Sequence, residues 1–171
     1  MEALQWLGEF REALGAFEGP RVCALATGDG RCRMVVLRDV GDDGSLAFTS
    51  DERSRKNATI RRTPDGEACF WIDPIRTQWR LAGSLHIETE GGRWRRVWEE
   101  MSPTARALFV WPASGGPVAE AGSFAERYDG EPNANYGLIV LRPVQVGRLD
   151  LRPHPHRRTV WEGGAAVDVN P

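Results

Sequence analysis

The sequence predicts a mainly β protein with helices, an α+β chain whose short antiparallel strands close into a barrel decorated by helices. Three observations predict it. From Arg21 onward the apolar residues gather into short runs rich in Val, Ile, Leu and aromatic residues. Gly- and Asp-rich turns punctuate those runs at close intervals. The 171 residues are 41% hydrophobic, which suits a single domain over residues 1–171 with one sizeable core.

The elements follow in order. Trp6, Leu7, Phe10, Leu14 and Phe17 recur at helical spacing, giving an amphipathic first helix, a lid or a packing element, that Gly19-Pro20 ends. VCALAT, CRMVVLRDV and SLAFTS read as three strands joined by the turns GDGR and GDDG, a β-meander. SDERSRKNATIRRTP reads as a helix with Ser50 or Asp51 as its cap, acidic residues in its first turn and Pro64 beyond its end. EACFWID and TQWRLAGSLHIETE are strands separated by the Asp73-Pro74 turn. Trp94, Val97, Trp98 and Met101 mark a second helical region, which continues through PTARALFVW. Residues Pro112 to Pro132, rich in Gly, Pro and Ala, read as a mobile loop. YGLIVLRPVQVGRLDL, HRRTVWE and AAVDVNP supply further strands, the last two joined by Gly163-Gly164.

Composition excludes several classes of function. With 22 basic and 24 acidic residues the formal net charge is −2, so no global field draws the chain to nucleic acid or to an anionic membrane. Cys23, Cys32 and Cys69 are odd in number and lack C-x-x-C spacing, which argues against a disulfide framework or a zinc site. No signal peptide or membrane-length apolar run is evident, and the expected location is cytoplasmic.

Lys56 is the sole lysine, and it stands beside Arg55. Arg33 and Arg38 bracket an apolar strand, and the following helix carries Arg55 and Lys56 near its start. These four cations can converge on one dianionic phosphate, served by guanidinium, ammonium and the positive end of a helix. Spacing alone leaves them equally as solvated charges on strand ends and an exposed helix face.

The order of the pieces goes further. Arg33-Met34-Val35-Val36-Leu37-Arg38, then Phe48-Thr49, then Ser54-Arg55-Lys56, then Gln78-Trp79-Arg80-Leu81-Ala82-Gly83 resembles the succession of motifs in the pyridoxamine 5'-phosphate oxidase family. His156-Arg157-Arg158 and the closing Val169-Asn170-Pro171 resemble its C-terminal motifs. The resemblance implies an FMN-binding split β-barrel, antiparallel and of Greek-key type with peripheral helices, acting as a homodimer with FMN at the interface. Carried over by position, it implies that Arg33 and Lys56 hold the FMN phosphate with Arg55 and Ser54 beside them. The segment Met34, Val35, Val36, Leu37 and Arg38 then runs along the flavin, and Phe48 and Thr49 flank the ribityl-phosphate region. Gln78 pairs with the pyrimidine side of the ring, and Arg158 approaches from the C-terminal strand.

The departures from the family pattern are specific. Leu149 stands where the family has a tryptophan over the flavin, and Gly115 and Gly116 fall where it has a Gln-Ser pair. The family's substrate-phosphate grip aligns with Trp98, Ser102 and Arg106, and its strand lysine with Arg38. His154 and His156 occupy the place of an Arg-x-His pair, which makes His156, with Arg158, the catalytic candidate. A metal site built on the two histidines lacks a third ligand.

The expected activity is therefore that of an FMN-dependent oxidoreductase acting on a small molecule other than the phosphorylated vitamer, stacked under Trp98 or Trp111. A non-catalytic flavin carrier or redox sensor is the alternative. A nucleic-acid binder is disfavoured, because the arginines are spread along the chain without a basic run.

Overall fold

The computed structural model describes residues 4–171. Helix α1 spans Gln5–Leu14, and strands β1, β2 and β3 are Val22–Thr27, Cys32–Val40 and Leu46–Asp51. Helix α2 is Arg55–Arg62, followed by β4 at Asp65–Ile72 and β5 at Thr77–Glu88. Helices α3 and α4 are Gly92–Glu100 and Pro103–Ala107, and the chain ends with β6 at Tyr136–Asp150, β7 at Arg157–Glu162 and β8 at Ala165–Val169.

The meander β1-β2-β3 is followed by a return through α2 that lays β4 against the free side of β1. The resulting spatial order β4-β1-β2-β3 is a Greek key. Strands β5 and β6 continue the sheet, and β6 closes it by pairing with β3 from Asp51↔Tyr136 to Leu46↔Leu141. Six strands thus form a closed antiparallel barrel, and β7 and β8 extend the sheet from the second half of β6. Closure leaves fewer unpaired backbone edges.

One strand can serve two partners in this way because β6 itself bulges, its Val144 left without a partner on β5 between Pro143 and Gln145. The register of β5 against β6 shifts between Ala82 and Gly83. A Cβ on Gly83 would lie 2.0 Å from the Arg142 carbonyl oxygen, so only glycine lets the strands approach at the bend.

Alternation sorts the side chains. Leu25, Val35, Leu37, Phe48, Phe70 and Leu81 point into the barrel, where they meet the apolar face of α1. Phe10 of α1 packs 5.3 Å from both Phe70 and Trp79. Burying such a side chain is worth about 1.5–3 kcal/mol, so α1 is a packing helix rather than a lid. A second cluster lies outside β3 and β6, where Val97 and Trp98 of α3 cover Ala47, Leu138 and Val140 together with Phe109.

The structure corrects the start of α2. Ser50 and Asp51 belong to β3, Ser54 is the N-cap, and the first turn holds no acidic residue. The strand won those residues because Ser50 and Asp51 pair with Gly137 and Tyr136 on β6. The Asp51 carboxylate accepts hydrogen bonds from the Arg53 backbone N–H and guanidinium instead of capping a helix. Residues 112–132 are irregular apart from one 3₁₀ turn at Ala121–Ser123. Hydrogen bonds from Trp111 Nε1 to the Ala125 carbonyl (2.7 Å) and from Trp98 Nε1 to the Gly130 carbonyl (3.2 Å) tie that segment to the helical region.

Candidate functional site

A groove of about 400 Å³ lies between the tip of the β1–β2 hairpin and one face of α2. Arg31 and Arg33 line it from the hairpin, and Arg55, Lys56 and Arg62 line it from the helix. Arg33 lies on β2 and Arg31 two residues before it at the end of the hairpin turn, and the i, i+4, i+7 positions Arg55, Thr59 and Arg62 share a helix face. The sole carboxylate in the lining is Asp29. Its pKa is held below the ordinary range, chiefly by the hydrogen bond donated from Thr27.

Arg33 is fixed from beneath. Its Nη1 donates to the Leu25 carbonyl (3.0 Å) and to Thr27 Oγ1 (2.8 Å), and Thr27 Oγ1 donates onward to Asp29 (2.7 Å). Lys56 Nζ donates to Ser54 Oγ at 3.1 Å. Burial, and then the charge of Arg33, push the lysine pKa below its usual value, while Asp51 and Glu52 oppose the shift. Those two carboxylates are engaged elsewhere, Asp51 with Arg53 at 2.6 Å and Glu52 with Arg61.

The charge arrangement runs against local stability. A helix N-terminus carries partial positive charge and favours acidic residues. The first turn of α2 begins instead with Arg55 and Lys56, with Arg33 opposite. Mutual repulsion and a desolvated ammonium are relieved when a dianion enters, so the residues present fit the terminal phosphate of FMN.

The flanking positions divide by face. Val35, Leu37 and Phe48 are buried in the barrel, so they can offer a ligand only their backbone. Met34 is 66% exposed on the outer face. Arg38 sits at the irregularity between the Leu37↔Phe48 and Asp39↔Ala47 pairs, with its Nε buried and unpartnered among the described residues. Thr49 and Lys56 line a second cavity of about 570 Å³, walled by Phe109, Trp111, Phe124 and the Gly115-Gly116 segment.

Gln78 and Arg158 meet elsewhere. Register pairs Gln78 with Leu149 and Leu149 with Arg158, and the three line a cavity of about 190 Å³ on the outer face of β5, β6 and β7. Strands β5 and β2 are separated by β4 and β1, three interstrand steps of about 4.8 Å each or roughly 14 Å in all. One chain therefore does not gather Gln78, Arg158, Arg33 and Lys56 at a single point. His154 and His156 are exposed in the β6–β7 turn, where His156 Nδ1 lies 3.1 Å from the Pro153 carbonyl.

Trp98 is a correction. It is 2% exposed, packed against Phe109, Tyr128 and Tyr136, and nothing can stack beneath it. Its helical spacing signalled core rather than a ligand surface. Trp111 does line a cavity. Sequence reasoning passed over Asp29, Arg31 and Arg62. Their signal was present in the two-residue spacing of Arg31 from Arg33 and the seven-residue spacing of Arg62 from Arg55.

No helix among the described residues is long and apolar enough to cross a membrane. Residues 4–89 match the family model of the pyridoxamine 5'-phosphate oxidase FMN-binding domain. The chain is 26% identical over 131 residues to pyridoxine/pyridoxamine 5'-phosphate oxidase 2 of Arabidopsis thaliana, covering 70% of this chain and 66% of that protein. Over 159 residues it is 26% identical to the pyridoxine/pyridoxamine 5'-phosphate oxidase of Paraburkholderia phymatum, covering 90% and 73%. Among solved structures, a pyridoxamine 5'-phosphate oxidase-related, FMN binding protein from Nostoc punctiforme superposes with a TM-score of 0.88 at 30% identity, over 100% of both chains. PhzG from Burkholderia lata, in complex with tetrahydrophenazine-1-carboxylic acid, shares the fold at a TM-score of 0.76 and 17% identity, over 98% of this chain and 89% of that one. With the barrel, the cationic groove and these matches in agreement, the chain belongs to the FMN-binding pyridoxamine 5'-phosphate oxidase family, and its cofactor is FMN.

Proposed function

We propose that the protein is an FMN-dependent oxidoreductase of a small molecule, working as a cytoplasmic homodimer of single-domain subunits. The observation that carries this reading is the groove in which Arg33, Arg55 and Lys56 face one another without an ion-pair partner among the described residues. Arg33, Arg55 and Lys56 hold the FMN phosphate, Ser54 positions the lysine ammonium, and the backbone of Met34 to Arg38 borders the flavin. Phe48 contributes backbone, and Thr49 its hydroxyl. When bound, FMN supplies two-electron exchange with the substrate. The chain's own part is to bind, orient and exclude water.

Two observations support the dimer. Gln78 and Arg158 stand apart from the cationic groove, as expected if they serve a neighbour's flavin together with His156. The outer face of β1, β4 and β5 also presents small residues (Ala24, Cys69, Ala82) around the Glu67–Arg80 ion pair, beside exposed Met34 and Trp71. Such a face suits close packing of a second copy.

The substrate in this reading lacks the phosphate of the B6 vitamers. Trp98 is buried, Ser102 Oγ accepts the Ala105 N–H as the cap of α4, and Arg106 is committed to carbonyls of α3. None is free to hold a phosphate.

The absorption spectrum of the purified protein and its turnover with NAD(P)H test the flavoenzyme reading. Oxygen consumption with pyridoxamine or pyridoxine 5'-phosphate tests the substrate. Turnover on the order of 1 per second or faster would mark a true vitamer oxidase.

A further inference from the structure

Asp29 stands where simple electrostatics would exclude a carboxylate. It lines the same cavity as Arg33, Arg55 and Lys56, and its charge repels the dianion that those cations attract. Both of its oxygens are engaged. Oδ1 accepts hydrogen bonds from Thr27 Oγ1 (2.7 Å) and the Arg31 backbone N–H (3.3 Å), and Oδ2 accepts one from Thr59 Oγ1 of α2 (3.3 Å). Gly28 seats the turn against the helix end, since a Cβ there would lie 2.4 Å from Thr63 Cγ2. The carboxylate is thus a fixed anchor on the turn rather than a free surface charge.

From that anchor a chain of hydrogen bonds runs to Arg33. Thr27 is buried and has a single hydroxyl hydrogen. Arg33 Nη1 donates to Thr27 Oγ1 at 2.8 Å, so the hydroxyl hydrogen must point elsewhere. Its acceptors are Asp29 Oδ1 at 2.7 Å and the Arg31 carbonyl at 3.4 Å, and the shorter bond goes to Asp29. With Nη1 spent on Thr27 and on the Leu25 carbonyl, Arg33 keeps Nε and Nη2 without a partner among the described residues. Those two nitrogens form the edge by which a guanidinium grips a phosphate bidentately.

We propose that Asp29 is a positioning residue for the FMN phosphate: by taking the Thr27 hydroxyl hydrogen it turns a Thr27 lone pair to Arg33 and fixes the guanidinium with its Nε–Nη2 edge toward the groove. The proposal rests on the reading of Arg33 as an FMN phosphate ligand. It gives two properties of one side chain opposite signs. The acceptor oxygens strengthen FMN binding through Arg33, and the negative charge weakens it directly. The first outweighs the second, because a bidentate contact depends steeply on geometry whereas repulsion from an exposed carboxylate is screened by water and salt. Asparagine separates the two. Its Oδ1 accepts from Thr27 and the Arg31 N–H, its Nδ2 donates to Thr59 Oγ1, and the charge is gone.

The test is fluorescence titration of the full chain, freed of flavin, with FMN at fixed pH and salt, in D29A, D29N, R33A and the R33A/D29A double variant. Asp29 is exposed in its turn and outside the core. D29A should raise the FMN dissociation constant about fivefold, the worth of roughly one hydrogen bond, while D29N stays within about twofold of the wild type or binds more tightly. On the R33A background the effect of D29A should vanish or reverse, because only the repulsion is left to remove. A purely structural turn would weaken FMN by the same factor in both backgrounds, and a purely repulsive carboxylate would leave D29A with tighter FMN. Either result overturns the proposal, as does D29N weakened as far as D29A. R33A alone separates the two levels. Unchanged FMN in R33A removes the underlying reading and the proposal with it, whereas weakened FMN in R33A beside an unweakened D29A removes the proposal alone.

Discussion

The Arg106 guanidinium lies 5.6 Å from the centre of the Trp98 ring and donates hydrogen bonds to the Trp98 carbonyl at 3.0 Å and the Glu99 carbonyl at 2.8 Å. It thereby neutralises the carbonyl end of α3, whose partial negative charge a cation complements. Replacing it frees those carbonyls and removes the cation–π contact. Arg106→Ala should cost about 1–2 kcal/mol of stability, read as a lower urea midpoint at unchanged slope. Flavin affinity should stay the same, which distinguishes a helix cap from a ligand-binding arginine.

Lys56→Ala and Arg33→Ala should each weaken FMN binding by about 1.5–3 kcal/mol, the worth of a charge-assisted hydrogen bond. Calorimetric titration reads the change directly. Unchanged affinity in both variants would withdraw the phosphate assignment.

The pH dependence at Lys56 has two signs. Burial and Arg33 lower the pKa of the folded, flavin-free lysine below its unfolded value. Phosphate binding needs the charged ammonium, so FMN affinity should fall as alkaline pH passes the lowered folded pKa. The unfolded chain holds this proton more tightly, so the stability of the flavin-free protein gains from this group as pH rises between the two values. Lys56→Met should accordingly stabilise the flavin-free protein by about 0.5–1 kcal/mol while weakening FMN. Thermal melts with and without FMN should move in opposite directions.

A C2 dimer with flavin between its subunits should release FMN on dilution below its dissociation constant. Met34→Glu combined with Trp71→Glu places charge on the uncovered outer face and should yield a monomer with weakened flavin binding. Light scattering that shows a wild-type monomer still holding flavin tightly would contradict the assembly.

Gly83→Ala should destabilise the barrel by about 3 kcal/mol or more, because its Cβ meets the Arg142 backbone rather than a movable side chain. Gly147, on the facing strand, has open space at its Cβ position, and Gly147→Ala should fold with little loss. Chemical denaturation of the two variants compares them directly.

The sequence by itself determined the strands, because period-two alternation and Gly-Asp turns are local signals. VCALAT and CRMVVLRDV appear as β1 and β2 with the bounds their residues imply. It also determined the cofactor family, since motif order along the chain needs no tertiary information. Tertiary structure alone decided that Ser50 and Asp51 extend a strand, because their partners on β6 are more than eighty residues away. It decided that Trp98 is core, since helical spacing shows that a face is apolar but not what covers it. Only the folded chain brings Arg31 and Arg62 into one groove, because pairing of the hairpin tip with the face of α2 depends on how the helix packs against the barrel. The same long-range register separates Gln78 from Arg33, since a closed barrel fixes the distance between its strands.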